Sequence, residues 1–545
     1  VTPPADRSAA PPPEAAAPGP VQPPGEPVAR APVEAAAPAQ PEPAAPGPVQ
    51  PPGEAATPDP ATAAPNPVEP AAPAPRKAAP APAEDAAPDP ATAASVPVPG
   101  EPAAPDPATA APAPAQPPGE ADALAPEPQG APAAGERPRS RLPCLDGVRA
   151  IAALGVVAVH VGLISGYSVR GGALGPYFAR GEVGVTVFFL LSGFLVYRPF
   201  VAAHLDGRPA PRLGPYLWRR AVRILPLYWV ALTVVLFVDG RTEIENVGDF
   251  LTFYGFAQIY RAGYETEGIQ QAWSLCTLVS FYLAAPVLAA AIRAVGSRAA
   301  TAAGRLRVEL GAVVVLVAVA YGYQWMVVND LPHQAAVVDG RLCWLPIHLD
   351  IFGLGMALAA LYHWGQIQPA DRRTAATVLG RVPAAAWWAV AAVSYWYVSV
   401  RLGLPLSAGA HDPGEHMARE VLYTLVSVGL MLPAVFGPQH RGAIRWVLRR
   451  PPVAAVGILT YGVFLWHEWA IDLWIDWRDL PPLNGWWVSM LAFVLAFTLA
   501  ISALTYWLVE KPAARLPWPG RGDRSRPAGP AGSDPRSPQP AAAGA

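Results

Sequence analysis

The sequence predicts an all-α polytopic membrane protein, a bundle of about ten transmembrane helices carrying a disordered Pro/Ala-rich N-terminal tail. Three observations carry that reading. Charged residues make up 15% of the 545 residues and mean hydropathy is +0.25, whereas roughly a quarter of an ordinary soluble chain is charged. The 70 prolines are crowded mainly into one end. From Arg141 onward, apolar stretches of bilayer-spanning length follow one another with few interior charges.

Residues 1–135 are almost entirely Ala, Pro, Gly and Glu, with APGPVQPPGE at Ala17 and again at Ala45, and AAPDPATAA at Ala86 and Ala103. Such a segment buries too little apolar surface to offset its ordering entropy, so it reads as an extended, polyproline-like cytoplasmic tether. The membrane domain runs over 141–512, and a second Pro/Gly/Ser-rich tail over 517–545. Ten spans are expected: 147–165, 183–203, 221–238, 273–292, 309–328, 345–362, 383–400, 420–436, 453–474 and 487–508.

Orientation follows from arginine in the loops. With the N-terminus in the cytoplasm, fifteen arginines fall in inner loops (208, 212, 219, 220; 293, 298, 305, 307; 372, 373, 381; 441, 445, 449, 450). Seven fall outside: Arg170, Arg180, Arg241, Arg261, Arg341, Arg401 and Arg478. Both termini are therefore expected in the cytoplasm and the bundle in the plasma membrane, and the start of the sequence lacks a signal-peptide pattern. The net charge of -2 comes without a basic patch interleaved with aromatics, so no nucleic-acid partner is expected. Cys144, Cys276 and Cys343 are odd in number and without metal-ligand spacing, which predicts neither a disulfide framework nor a metal site.

Several spans carry polar groups that a bilayer makes expensive. The first, LDGVRAIAALGVVAVHV, contains Arg149 and His160. Eleven residues bring the helix back to within ~20° of the same direction and advance it by roughly 16 Å, so one face holds two stations at different depths. A snorkelling arginine and a histidine satisfied in a helix contact would give the same pattern. Arg220 and Arg223 share a face at the cytoplasmic mouth of the third span, where guanidiniums would suit a phosphate-bearing ligand; the positive-inside bias alone also puts arginines there. Ser192-Gly193 lies mid-depth in the second span, where small residues permit either close helix packing or approach of a substrate to the backbone. Trp273 and Ser274 open the fourth span, His348 and Asp350 the sixth, and His467 and Glu468 lie near the outer end of the ninth. Independent helices thus bring polar groups to about the depth of His160, which predicts a chamber in the outer half.

Taken together, LDGVRAIAALGVVAVH, GVTVFFLLSGFLV, RRAVRILPLYW, WSLCTLVSFYLAAP, HLDIFGLGM, YGVFLWH and TYWLVEKP resemble, in order, the motifs of the membrane-bound acyltransferase family 3. The resemblance covers about 141–512. It implies transfer of an acyl group, commonly acetyl, from cytosolic acyl-CoA to a hydroxyl of a carbohydrate or lipid-linked acceptor, with no bound cofactor. It matches the family's first-span pair to Arg149 and His160 as catalytic residues, His160 as general base, and its third-span pair to Arg220 and Arg223 as donor ligands. Ser192, Gly193, Trp273, Ser274, Asp350 and His467 are the further substrate-binding candidates.

One position departs from the family. Its fourth-span motif usually ends in Glu, and this chain has Leu278. Losing a carboxylate that orients a catalytic histidine can lower rate by orders of magnitude, so an impaired member acting as a binding or scaffold protein is the alternative expectation unless Asp350 or Glu468 substitutes. A transporter would also fit ten spans, but neither an inverted repeat nor paired broken helices stand out.

Overall fold

The computed structural model describes residues 142–519, apart from 171, 241, 331–338, 370, 407–411, 482 and 484–485. The tail expected over 1–135 lies outside the described residues, as does nearly all of the tail expected over 517–545.

The described chain is helical, with no strands. Its long helices are α1 (Cys144–Ile164), α2 (Val183–Leu205), α3 (Leu213–Asp239), α4 (Trp273–Val295), α5 (Ala302–Asp330), α6 (Leu349–Ile367), α7 (Ala384–Trp396), α8 (Pro413–Val435), α9 (Pro451–Arg478) and α10 (Trp487–Thr505). A bilayer offers no hydrogen-bond partner to the backbone, so runs this apolar close their own bonds as helices. Nine of the described helical segments are long and apolar enough to cross a membrane. The seventh span lies where expected, over Ala384–Arg401, but is built differently from the others. α7 has only thirteen α-helical residues before a π-turn at Tyr397–Arg401. It reaches spanning length together with Ala375–Arg381, from which it bends by 82°. Val382 and Pro383, both extended, interrupt the helix there, and proline cannot donate to an ongoing helical ladder.

α1 sits inside the bundle, against α9, α2, α8 and α10. Glycines let it in. A Cβ on Gly457 of α9 would lie 2.0 Å from the Asp146 carbonyl oxygen, one on Gly184 of α2 would lie 2.2 Å from that of Ala152, and one on Gly147 would lie 2.4 Å from that of Leu448. The two turns carrying Arg149 are thus held from three sides. Gly193 is used the same way. Its Cβ would fall 2.3 Å from the Phe352 carbonyl oxygen, and that of Gly355 2.4 Å from the Leu190 oxygen, so α2 and α6 pack backbone to backbone. The substrate-approach reading of Gly193 therefore gives way to helix packing.

The end of the bundle where α1 begins is termed proximal, the other distal. Near the proximal end Glu309 of α5 is buried, accepting from Tyr197 Oη at 2.8 Å and facing His204 Nδ1 at 2.5 Å. On the distal side, the loop before α6 is held by Arg341. Its guanidinium donates to Asp339 at 2.8 Å and keeps that carboxyl below its usual range.

Removing one member of a buried polar set leaves its partners uncompensated, at a cost of about 3–5 kcal/mol for an ion pair. Glu309→Ala should therefore lower the melting temperature of the detergent-purified protein by several degrees or prevent its accumulation. An unchanged melting curve would show that Tyr197 and His204 find other partners.

Candidate active site

Two adjoining features hold most of the predicted site residues. The first is a contact between α1 and α9 in their distal halves. His160 Nε2 lies 3.0 Å from Glu468 Oε1, and His160 Nδ1 lies 3.0 Å from His467 Nε2 and 2.9 Å from the Val156 carbonyl oxygen. The side chains of His160 and Glu468 are 24% and 11% exposed, and His467 is fully buried. The turn before α4 braces the site. Gln271 donates its side-chain amide to the Phe464 and Leu465 carbonyls at 2.8 and 3.1 Å.

The hydrogen-bond roles follow from what each neighbour can do. His467 Nδ1 lies 2.9 Å and 3.1 Å from the carbonyl oxygens of Phe464 and Val463, which can only accept, so Nδ1 carries a proton. In the neutral ring its Nε2 is then a lone pair, and His160 Nδ1–H donates toward it and toward Val156. His467 thereby sets the tautomer of His160. The remaining nitrogen, His160 Nε2, faces a carboxylate. Two lone pairs would repel there, so the contact suits a proton between the ring and the carboxylate.

Nearest ligand atoms of His160, His467 and Glu468 lie within 4.8 Å of one another, close enough to consider a divalent cation. His160, however, turns a different nitrogen to each neighbour, whereas a metal would draw one lone pair from each side chain to a single point. A hydrogen-bonded triad uses these atoms better.

The second feature is a cavity of about 390 Å³ between α1, α2, α3, α4 and α9. Arg149, Arg220 and Arg223 line it, joined by Ser192, Ser274, Leu278, Tyr282, Thr460, Tyr461 and Phe464. Arg149 is steadied by Asp146, one turn earlier, at 2.8 Å. Arg220 lies over the rings of Tyr216 and Tyr282, at 5.8 and 5.5 Å. The arginines mark the proximal part. Phe464 lies one turn from His467 on α9, so the cavity wall leads to the triad, although His160 itself does not line it.

Trp273 and Asp350 fall elsewhere. Trp273 stacks on His348, 6.1 Å between centroids, and Asp350 is buried beside Gln324 at the α5–α6 contact. The carboxylate beside His160 is thus Glu468 and not Asp350. The sequence also left Asp146, Tyr282 and Tyr461 unremarked. The i, i+3 spacing of Asp146 and Arg149 was a usable signal; the two tyrosines on separate helices gave none.

Comparison with known proteins matches residues 142–507 to the family described as "Acyltransferase domain". The chain belongs to acyltransferase family 3. It is 25% identical over 358 residues to nodulation protein 10 of Rhizobium leguminosarum bv. viciae, covering 61% of this chain and 82% of that one. It is 25% identical over 389 residues to the putative membrane-bound transacylase BcsY of Komagataeibacter xylinus, covering 69% and 83%. With the peptidoglycan O-acetyltransferase OatA of Listeria monocytogenes it shares 23% over 391 residues, covering 69% and 56%. No solved structure matches significantly. This acyltransferase family 3 member is therefore a multi-pass membrane O-acyltransferase, and with Glu468 against His160 the impaired-member alternative loses its specific support.

Because His160 turns separate nitrogens to His467 and Glu468 rather than converging with them on one point, prolonged EDTA treatment should leave the acyl-transfer rate unchanged. Loss of activity that added zinc restores would put a metal among His160, His467 and Glu468 instead.

Proposed function

We propose that this enzyme transfers an acyl group from cytosolic acyl-CoA to a hydroxyl of a carbohydrate or lipid-linked acceptor, with the His160–Glu468 pair as general base. The observation that supports it best is the cavity that carries three arginines at one end and leads along α9 to that pair. Arg149, Arg220 and Arg223 present the planar, multidentate donors that phosphate oxygens favour. With both termini cytoplasmic, this end faces the cytosol, where acyl-CoA is made, and the pair lies toward the outer side, where the acceptor is met. OatA, a peptidoglycan O-acetyltransferase, acts on a cell-surface glycan, which supports an acceptor of that kind here.

In the reaction the acceptor oxygen adds to the thioester carbonyl carbon while the His160–Glu468 pair takes its proton, which comes to lie between Nε2 and the carboxylate. Glu468 stabilises the imidazolium that forms, and His467 keeps the Nδ1 proton in place. The C–S bond then breaks, the ester leaves with the acceptor, and the proton passes from His160 to the thiolate, giving free CoA. No other reactant is consumed.

The test is release of free CoA by the purified protein, beside direct CoA binding. His160→Ala should slow turnover by a factor on the order of 10²–10⁴, the usual contribution of a general base, with CoA binding retained. Arg220→Ala and Arg223→Ala should each weaken CoA binding by roughly ten- to hundredfold, as loss of a charge-assisted hydrogen bond does. Equal turnover with and without His160 would contradict the mechanism. Unchanged CoA affinity in both arginine variants would remove them from the donor site.

A further inference from the structure

We infer that the donor's acyl group is longer than acetyl, an alkyl chain of several carbons seated against Leu278, Leu275, Phe188 and Phe464. The seat is an acyl seat only if acyl-CoA is the donor, so it rests on that reading.

Its location comes from α4. Gln271, in the turn just before that helix, donates to the Phe464 and Leu465 carbonyls of α9, about one turn from Glu468. Leu278 follows seven residues later, which is roughly 10 Å farther along the axis, in the direction of the arginines. Leu278 therefore lines the stretch of cavity between the phosphate-binding end and the proton acceptor, where a thioester and the chain beyond it would lie.

The character of that stretch is apolar beyond what its residue types imply. Three of the hydroxyls in the lining are already committed to backbone carbonyls. Ser274 Oγ donates to Gln271 O at 3.3 Å, Thr460 Oγ1 to Gly457 O at 3.1 Å, and Tyr461 Oη to Ile224 O at 2.8 Å. The charged lining residues are the three arginines of the proximal part. Apart from the Ser192 and Tyr282 hydroxyls, what remains around Leu278 is hydrocarbon. Acetyl, with one methyl group, would leave most of this wall without a partner. An alkyl chain would cover it, and a carboxylate at position 278 would make the same place hostile to such a chain. The substitution that first reads as a lost catalytic group is thus a change of donor specificity, the proton-accepting role having gone to Glu468.

The experiment uses the full-length protein purified in detergent and titrated with unmodified CoA and with S-alkyl-CoA thioethers from S-methyl to S-octyl. These bind without needing an acceptor. Affinity should rise roughly fourfold per methylene over the first several carbons, the ratio that about 0.8 kcal/mol per buried methylene implies. Leu278→Trp, which fills the seat, and Leu278→Glu, which charges it, should each abolish that rise. The micelle's own uptake of alkyl chains is common to all three proteins and cancels. Two variants of different chemistry keep the comparison decisive if one fails to fold. A flat wild-type series, or a rise that both variants retain, overturns the acyl seat while the donor reading stands. Failure of unmodified CoA to bind overturns the donor reading and the seat with it.

Discussion

The contact between His160 and Glu468 joins the first helix of the bundle to the ninth across 308 positions of chain, and the site depends on it. A carboxylate and an imidazole inside a membrane domain are each expensive alone. At 3.0 Å, with His467 and the Val156 carbonyl on the opposite nitrogen, each supplies what the other lacks. That geometry requires α1 and α9 to approach backbone to backbone. Gly457 against Asp146 allows the approach at the proximal end, and a methyl group there would collide with the carbonyl oxygen at 2.0 Å. Packing far from the chemistry therefore sets the distance on which the chemistry relies.

The same close packing divides the labour of the site. Arg149 and His160 share one face of α1, roughly three turns apart, so a single rigid helix carries one group toward each end of the cavity. Arg220, Arg223 and Tyr282 complete the end with Arg149, and Glu468 and His467 complete the end with His160. A donor with a charged head and a long arm can bridge the two stations without the protein having to close on it.

Much of this was legible in the sequence, because bilayer length and the expense of charge are strong constraints. The spans follow from apolar length, and what length does not give is the sharp bend at Val382–Pro383 that joins the seventh to the short helix before it. Arg149, His160, Arg220 and Arg223 announced themselves as ionisable groups in apolar surroundings. Gly193 was ambiguous in principle, since a small residue at mid-depth permits either a ligand or a second helix. Leu278 left the question open between Asp350 and Glu468, because a position in space can be filled from another helix; the structure puts Glu468, not Asp350, beside His160. His467 was visible as a polar residue near the site, but its task of fixing a tautomer needs the orientation of its ring against the Val463 and Phe464 carbonyls.

The central claim is that His160 and Glu468 act as one proton acceptor, and a double-mutant cycle under single-turnover conditions tests it most directly. Groups that act as a unit are strongly non-additive. Turnover of His160→Ala, Glu468→Gln and the double variant should all fall to about the same low rate. Two independent losses that multiply in the double variant would contradict the account.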